Sequence, residues 1–124
     1  MATGRPSVLV VENDPVMSDL LQNILRRQGW QTHTALDGEQ ALSLAAVNHP
    51  DVVILDYVLP KLSGVEVCRR LSADHSVPVI MLGERDYTHA KLLSIKAGAR
   101  CYVGKPFEVT ELVTEVKTAL GQKA

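Results

Sequence analysis

Short apolar runs alternate along the whole chain with longer segments in which apolar positions recur every three or four residues. "VLVV" at 8–11 is unbroken and β-branched, the pattern of a strand covered on both faces. Asp14 and Pro15 then supply a helix N-cap and a first helical residue. Val16, Met17, Leu20, Leu21, Ile24 and Leu25 follow as pairs four apart, which predicts one apolar helix stripe ended by Gly29. "WQTHTA" (30–35) predicts a more polar second strand at a sheet edge. Asp37-Gly38 is a turn, and Glu39 to Val47 a short helix. "DVVIL" (51–55) is a third, buried strand ending at Asp56, and Pro60 and Gly64 bracket a loop before a helix from Val65 to Ser72. Pro78 opens "VIML" (79–82), the fourth strand. His89 to Ala97 is a helix closed by Gly98, and "CYV" (101–103) a brief fifth strand. Val109, Leu112, Val113, Val116 and Leu120 give the last helix its apolar face.

Five strand–helix units with short connections predict an α/β domain, a parallel sheet with helices on both faces. In such sheets ligands bind beyond the carboxyl ends of the strands, near a topological switch point. The residues that follow the strands are therefore the candidates for chemistry.

At 124 residues the chain is long enough for one core, and it is expected to be a single domain over 1–124 with its core at about 7–121. Thirteen basic against 14 acidic residues, with no run of Lys or Arg, give no electrostatic case for nucleic acid or an anionic membrane. "MATGRPS" has no apolar core and no segment is long enough to span a bilayer, so a cytoplasmic location is expected. Cys68 and Cys101 stand far apart and read as small packing residues, in keeping with a reducing compartment. His33, His49, His75 and His89 show no metal-ligand spacing and read as surface residues; Trp30 reads as a packing anchor.

The strand ends carry Glu12, Asn13 and Asp14 after the first strand, Asp56 after the third, Gly83, Glu84 and Arg85 after the fourth, and Gly104 and Lys105 after the fifth. Acids and one lysine thus converge from distant segments. Two or three such oxygens suit a hard cation such as Mg2+. A lysine beside them can pair with a carboxylate or hold a phosphoryl oxygen, and a carboxylate there can act as a nucleophile toward phosphorus. Asp14 reads as a cap and Asp51 as a strand-entry residue.

On "VLVVENDP", "DVVILDYVLPKLSG", "VPVIML" and "AGARCYVGKPF", in order over the whole chain, the sequence resembles the receiver domain of two-component response regulators. The resemblance implies a flavodoxin-like, doubly wound five-stranded sheet in the order 2-1-3-4-5 with five helices. It implies that Asp56 accepts a phosphoryl group from a histidine kinase or phosphotransfer protein, with Mg2+ held by Glu12, Asn13, Asp56 and the Val58 carbonyl. Lys105 would bind the phosphoryl group, with a cis Lys105-Pro106 bond. Gly83, Glu84 and Tyr102 fall at the switch positions. The signalling face toward an output domain or partner would be the fourth helix, fifth strand and last helix, with Lys91, Lys96, Tyr102 and Val109 as candidates. Such a domain is a phosphoacceptor rather than an enzyme with a separate substrate.

Three residues depart from the family pattern. Asn13 replaces an acid, keeping a neutral ligand oxygen and removing a charge. Gly83 replaces a hydroxyl residue whose bond to the phosphoryl group drives switching. Glu84 replaces a small residue; a carboxylate about 4 Å from an incoming phosphodonor would cost about 4 kcal/mol at an effective dielectric of about 20, and far less if it points into water. The alternative reading is therefore an atypical receiver that binds partners without phosphorylation. A flavin binder would need a phosphate-cradling loop where "ENDP" is acidic, and a haloacid-dehalogenase-type phosphatase would need an acid where Val58 stands.

Overall fold

The computed structural model describes residues 4–122. Five strands, β1 (Ser7–Val11), β2 (Gln31–Ala35), β3 (Val52–Asp56), β4 (Val79–Glu84) and β5 (Cys101–Lys105), alternate with five helices. These are α1 (Pro15–Arg27), α2 (Gly38–Asn48), α3 (Gly64–Asp74), α4 (Thr88–Lys96) and α5 (Val109–Ala119). All strand pairs are parallel and the order is β2-β1-β3-β4-β5, as expected.

Period-2 alternation splits the core into two layers. Val8, Val10, Val52, Ile54, Ile80, Leu82 and Val103 pack under α1 and α5 with Leu21, Leu25, Leu112 and Val116. Leu9, Val11, Val53, Leu55, Val79 and Met81 pack on the other face with Ala41, Ala45, Val67 and Leu71. The crossover reverses between β1 and β3, so the switch point lies where those two strands end.

Local chemistry starts the helices. The Asp14 carboxylate accepts from Val16 N at 3.1 Å, Asp37 from Gln40 N at 2.9 Å, and Ser63 Oγ from Glu66 N at 3.2 Å. Asp37 is thus a helix cap as well as a turn residue. Gly29, at φ 88°, closes α1 in a left-handed conformation. Asp51 accepts from Ser7 N at 2.8 Å and so ties the start of β1 to the entry of β3. Trp30 is buried in the α1 layer, Cys68 is buried and Cys101 half-buried; His49, His75 and His89 are exposed and His33 is half-buried.

Four expectations need correction. The α1 stripe is wider than the surface it covers: Val16 and Leu20 are 76% and 45% exposed, while Leu21, Ile24 and Leu25 are buried. β2 begins at Gln31, because Trp30 turns into the core instead of joining the ladder. Val109, expected on the core face of α5, is half exposed at its first turn. Asp56, Gly83, Glu84, Gly104 and Lys105 are strand residues rather than residues that follow strands. The β4–β5 ladder runs on through Gly83 opposite Gly104 and Glu84 opposite Lys105.

Gly64 fixes the end of β3. A Cβ there would fall 2.5 Å from the Asp56 carbonyl oxygen and 2.7 Å from that of Tyr57, so α3 starts against bare backbone. Gly64→Ala must push that backbone away, and the expected loss is about 1–3 kcal/mol, as for other overpacked sites. Urea unfolding of the two proteins reads this directly; an unchanged midpoint would show that the approach of α3 does not set the position of Asp56.

Candidate functional site

Register brings the candidate residues together. Val11 pairs with Leu55, so the next residues, Glu12 and Asp56, lie side by side at the switch point. Asp56 pairs with Leu82 and Leu82 with Val103, which sets Lys105 within reach across the β4 position. Even positions on β3 and odd positions on β5 share one face here, so the Lys105 and Asp56 side chains leave the sheet on the same side.

Both carboxylates are buried, Glu12 at 4% and Asp56 at 6% exposure. Lys105 Nζ donates to Asp56 Oδ2 at 3.0 Å, and Val58 N donates to Asp56 Oδ1 at 3.2 Å. Glu12 Oε2 accepts from Asp14 N at 3.0 Å. Its Oε1 lies 3.7 Å from Lys105 Nζ, too far for a hydrogen bond, and is buried without a partner. A cleft of about 330 Å3 opens over these groups, bounded by Asn13, Val58, Gly83 and Glu84 as well.

Electrostatics mark the cluster as short of positive charge. Two carboxylates face one ammonium. Burial pushes Glu12 up to about 7, the neighbouring Asp56 carboxylate adds to the rise, and the Asp14 amide and Lys105 oppose it. Glu12 therefore tends to hold a proton here unless a second cation is bound.

Asn13 is exposed at the cleft rim and its Nδ2 donates to the Leu36 carbonyl at 3.2 Å. That bond assigns the amide orientation and leaves the amide oxygen free to accept. Among the described residues no three Asp, Glu, His or Cys side chains converge on one ion position. Any cation here would draw two carboxylates and complete its shell with neutral oxygens, which is how Mg2+ is commonly held. The unpartnered Glu12 oxygen fits such an ion.

Glu84 is exposed, and Lys105 pairs with Asp56 and Glu12 instead of with it. Tyr102 does not line the cleft. Its ring lies over Gly83 and its hydroxyl donates to the Glu84 carbonyl at 2.9 Å. The Lys105-Pro106 bond is cis. Sequence reasoning missed Leu36, whose carbonyl orients Asn13, and Met17, which lines the cleft although it belongs to the α1 stripe. Neither cysteine is set up as a nucleophile: burial raises the Cys68 thiol and raises that of Cys101 to about 12.

Comparison with known proteins agrees with this geometry. A family profile described as response regulator receiver domain matches residues 8–117. The chain belongs to the response-regulator receiver family. It is a receiver domain of two-component signalling, a family that generally binds Mg2+ at its phosphorylation site. The receiver is 42% identical over 120 residues to the DNA-binding response regulator MtrA of Mycolicibacterium smegmatis, covering 97% of this chain and 53% of that protein. The Mycobacterium tuberculosis MtrA is 40% identical over the same shares. The chain thus spans about half the length of the curated relatives it matches. Among solved structures it is similar to a response regulator from Chloroflexus aurantiacus, at 34% identity, TM-score 0.90, and 95% and 99% of the two chains. It is also similar to the receiver domain of a Francisella response regulator, at 31% identity, TM-score 0.88, and 94% and 98% coverage.

The carboxylate pair makes stability depend on pH. The folded pKa of Glu12 lies above its ordinary 4.5, so its contribution is fully present below 4.5 and is lost as pH rises through about 7. In Mg2+-free buffer the unfolding free energy is expected to decline across that window, and Glu12→Gln to flatten the decline. Chemical denaturation at closely spaced pH values measures it; equal slopes for both proteins would show that Glu12 does not titrate in this window.

Proposed function

We propose that Asp56 is the phosphoacceptor of this receiver and that the phosphodonor is a histidine kinase or a phosphotransfer protein. The observation that carries the reading is the environment of Asp56. It is a buried carboxylate at the switch point, with one oxygen held by Lys105 and the other by the Val58 amide. An Asp56 oxygen attacks the phosphorus of a phosphohistidine or small phosphodonor. An O–P bond forms as the P–N or P–O bond to the donor breaks, and the donor leaves with the electron pair. Lys105, already 3.0 Å from Asp56 Oδ2, stays beside the new phosphoryl oxygens and offsets their charge. The Val58 amide keeps the other carboxyl oxygen oriented through the reaction.

Glu12, the Asn13 amide oxygen, Asp56 and the Val58 carbonyl would hold Mg2+. Bound there, it would neutralise the paired carboxylates and polarise the phosphoryl group. The Leu36 carbonyl, by taking the Asn13 amide hydrogens, orients the amide oxygen as a ligand. Asn13 brings no charge, so weak Mg2+ affinity belongs to this reading. The output, by analogy with relatives named as DNA-binding response regulators, is control of a DNA-binding partner or domain, with nucleic acid contacted elsewhere than on this domain. A cytoplasmic location goes with it.

A second reading, partner binding without phosphorylation, is favoured by two observations: Gly83 offers no hydroxyl to a phosphoryl group, and Glu84 beside it places a carboxyl group at the cleft mouth.

Intact mass after incubation with acetyl phosphate and Mg2+ separates the two readings. One added phosphate is expected on wild type and none on Asp56→Asn. Phosphate gained by Asp56→Asn would reassign the acceptor. No phosphate on wild type from acetyl phosphate or from a panel of kinases would favour the second reading. Asn13→Asp is expected to tighten Mg2+ binding, measured by calorimetric titration. Without Mg2+ the same variant should lose about 0.5–1.5 kcal/mol of stability, the net worth of the bond to Leu36. Unchanged or weaker Mg2+ binding would take Asn13 out of the ligand set.

A further inference from the structure

The α4 side of the β4–β5 pair carries two glycines in register, Gly83 opposite Gly104. On that face Met81 belongs to the core and Tyr102 packs against it. A Cβ built on Gly83 falls 2.2 Å from the Tyr102 hydroxyl oxygen and 2.9 Å from Cζ. The phenol therefore fills the place that any side chain at 83 would take. Its hydroxyl donates to the Glu84 carbonyl at 2.9 Å, and the same carbonyl accepts from Tyr87 N at 3.3 Å.

Next to it, a Cβ on Gly104 would fall 2.8 Å from Arg85 Cα. The Arg85 guanidinium donates to the Pro106 carbonyl and reaches that of Gly104 at 3.5 Å. A phenol and a guanidinium thus tie the β4–α4 loop to β5, across a patch left open because neither strand carries a side chain there.

We propose that Gly83 and Tyr102 form a clamp that holds the β4–α4 loop on β5 in one arrangement, whatever the state of the Asp56 site. The proposal rests on the reading of Asp56 as phosphoacceptor and assigns its regulation. A modification at Asp56 can shift the loop only through contacts that differ between two loop positions. At position 83 it meets backbone alone, with no side-chain hydroxyl to draw toward it. A residue with a Cβ at 83 would instead exclude the inward ring, and Tyr102 and the side chain at 83 would have to alternate. In this chain the ring keeps its place by default, and the route from Asp56 to Tyr102 is interrupted at Gly83. Phosphorylation would then act through the cleft itself and the α1 side of the edge, leaving the loop and the first turn of α4 as they are.

The test uses the chain labelled with 3-fluorotyrosine, its three tyrosine 19F resonances assigned with Tyr102→Phe. Mg2+ and beryllofluoride, a phosphoryl mimic with its own bound 19F signal, report occupancy in the same spectrum. The wild-type Tyr102 line is expected to stay in place when the bound mimic appears. Gly83→Ala is expected to move it to the position of a solvent-exposed tyrosine. A Tyr102 line that shifts with the bound mimic, or one unaffected by Gly83→Ala, overturns the clamp. If no bound mimic appears, the reading of Asp56 fails, while the Gly83→Ala spectrum still decides the clamp. A double-mutant cycle gives a second readout: Gly83→Ala should lower the urea midpoint when Tyr102 is present and not in Tyr102→Ala. Equal effects in both backgrounds would also overturn it.

Discussion

Glu12 and Asp56 lie together where the sheet reverses its winding, and among the described residues only one ammonium reaches them. Everything at the carboxyl edge answers to that imbalance. Parallel pairing of β1 with β3 forces the two carboxylates together, since the residue after Val11 must neighbour the residue after Leu55. Lys105 offsets one charge with a hydrogen bond to Asp56 and stops 3.7 Å short of the buried Glu12 oxygen. A buried carboxylate oxygen without a donor is costly, and the cost is met by a proton or by a cation. The fold thus stores a demand for positive charge at the mouth of a cleft. On the proposed reading, Mg2+ would meet that demand.

The architecture was legible because its signals are strong and independent. Continuous apolar runs at 8–11, 52–55 and 79–82 leave no solvent face, and such strands need helices on both sides. Asp14-Pro15 and the glycine at 29 bound α1 by backbone chemistry that hardly depends on the rest of the protein. The positions of Asp56, Glu12 and Lys105 followed from the same logic, since strand ends in such a sheet converge. The roles proposed for them rest on a family resemblance, and the register shows only that the three are brought together.

What the sequence hid was set by neighbours that a one-dimensional pattern does not name. Val16 and Leu20 fit the α1 stripe, but the sheet and α5 are too narrow to cover them, and both face outward. The apolar pattern puts the glycines at 83 and 104 beyond the strand ends, yet the ladder runs through both. A bare strand pair can take a tyrosine ring and a loop backbone laid directly on it. Position 13 showed a lost charge, but not that its amide nitrogen donates to the Leu36 carbonyl.

The three departures from the family pattern thus have separate physical consequences. In the proposed Mg2+ site Asn13 would bring a neutral oxygen in place of a charged one, with its amide oriented by a backbone carbonyl from the β2–α2 connection. Glu84 acts here through its main chain: its carbonyl receives the Tyr102 hydroxyl and the Tyr87 amide, while its exposed carboxylate is not among the partners of Lys105. Gly83 is the deepest change, since it carries no hydroxyl and leaves the space a side chain would take to the Tyr102 ring. On the proposed reading, Asn13 bears on whether the site is loaded, and Gly83 on whether loading is felt at α4. Loss of the first does not entail loss of the second. A receiver can keep its acceptor chemistry and still present a constant α4 surface.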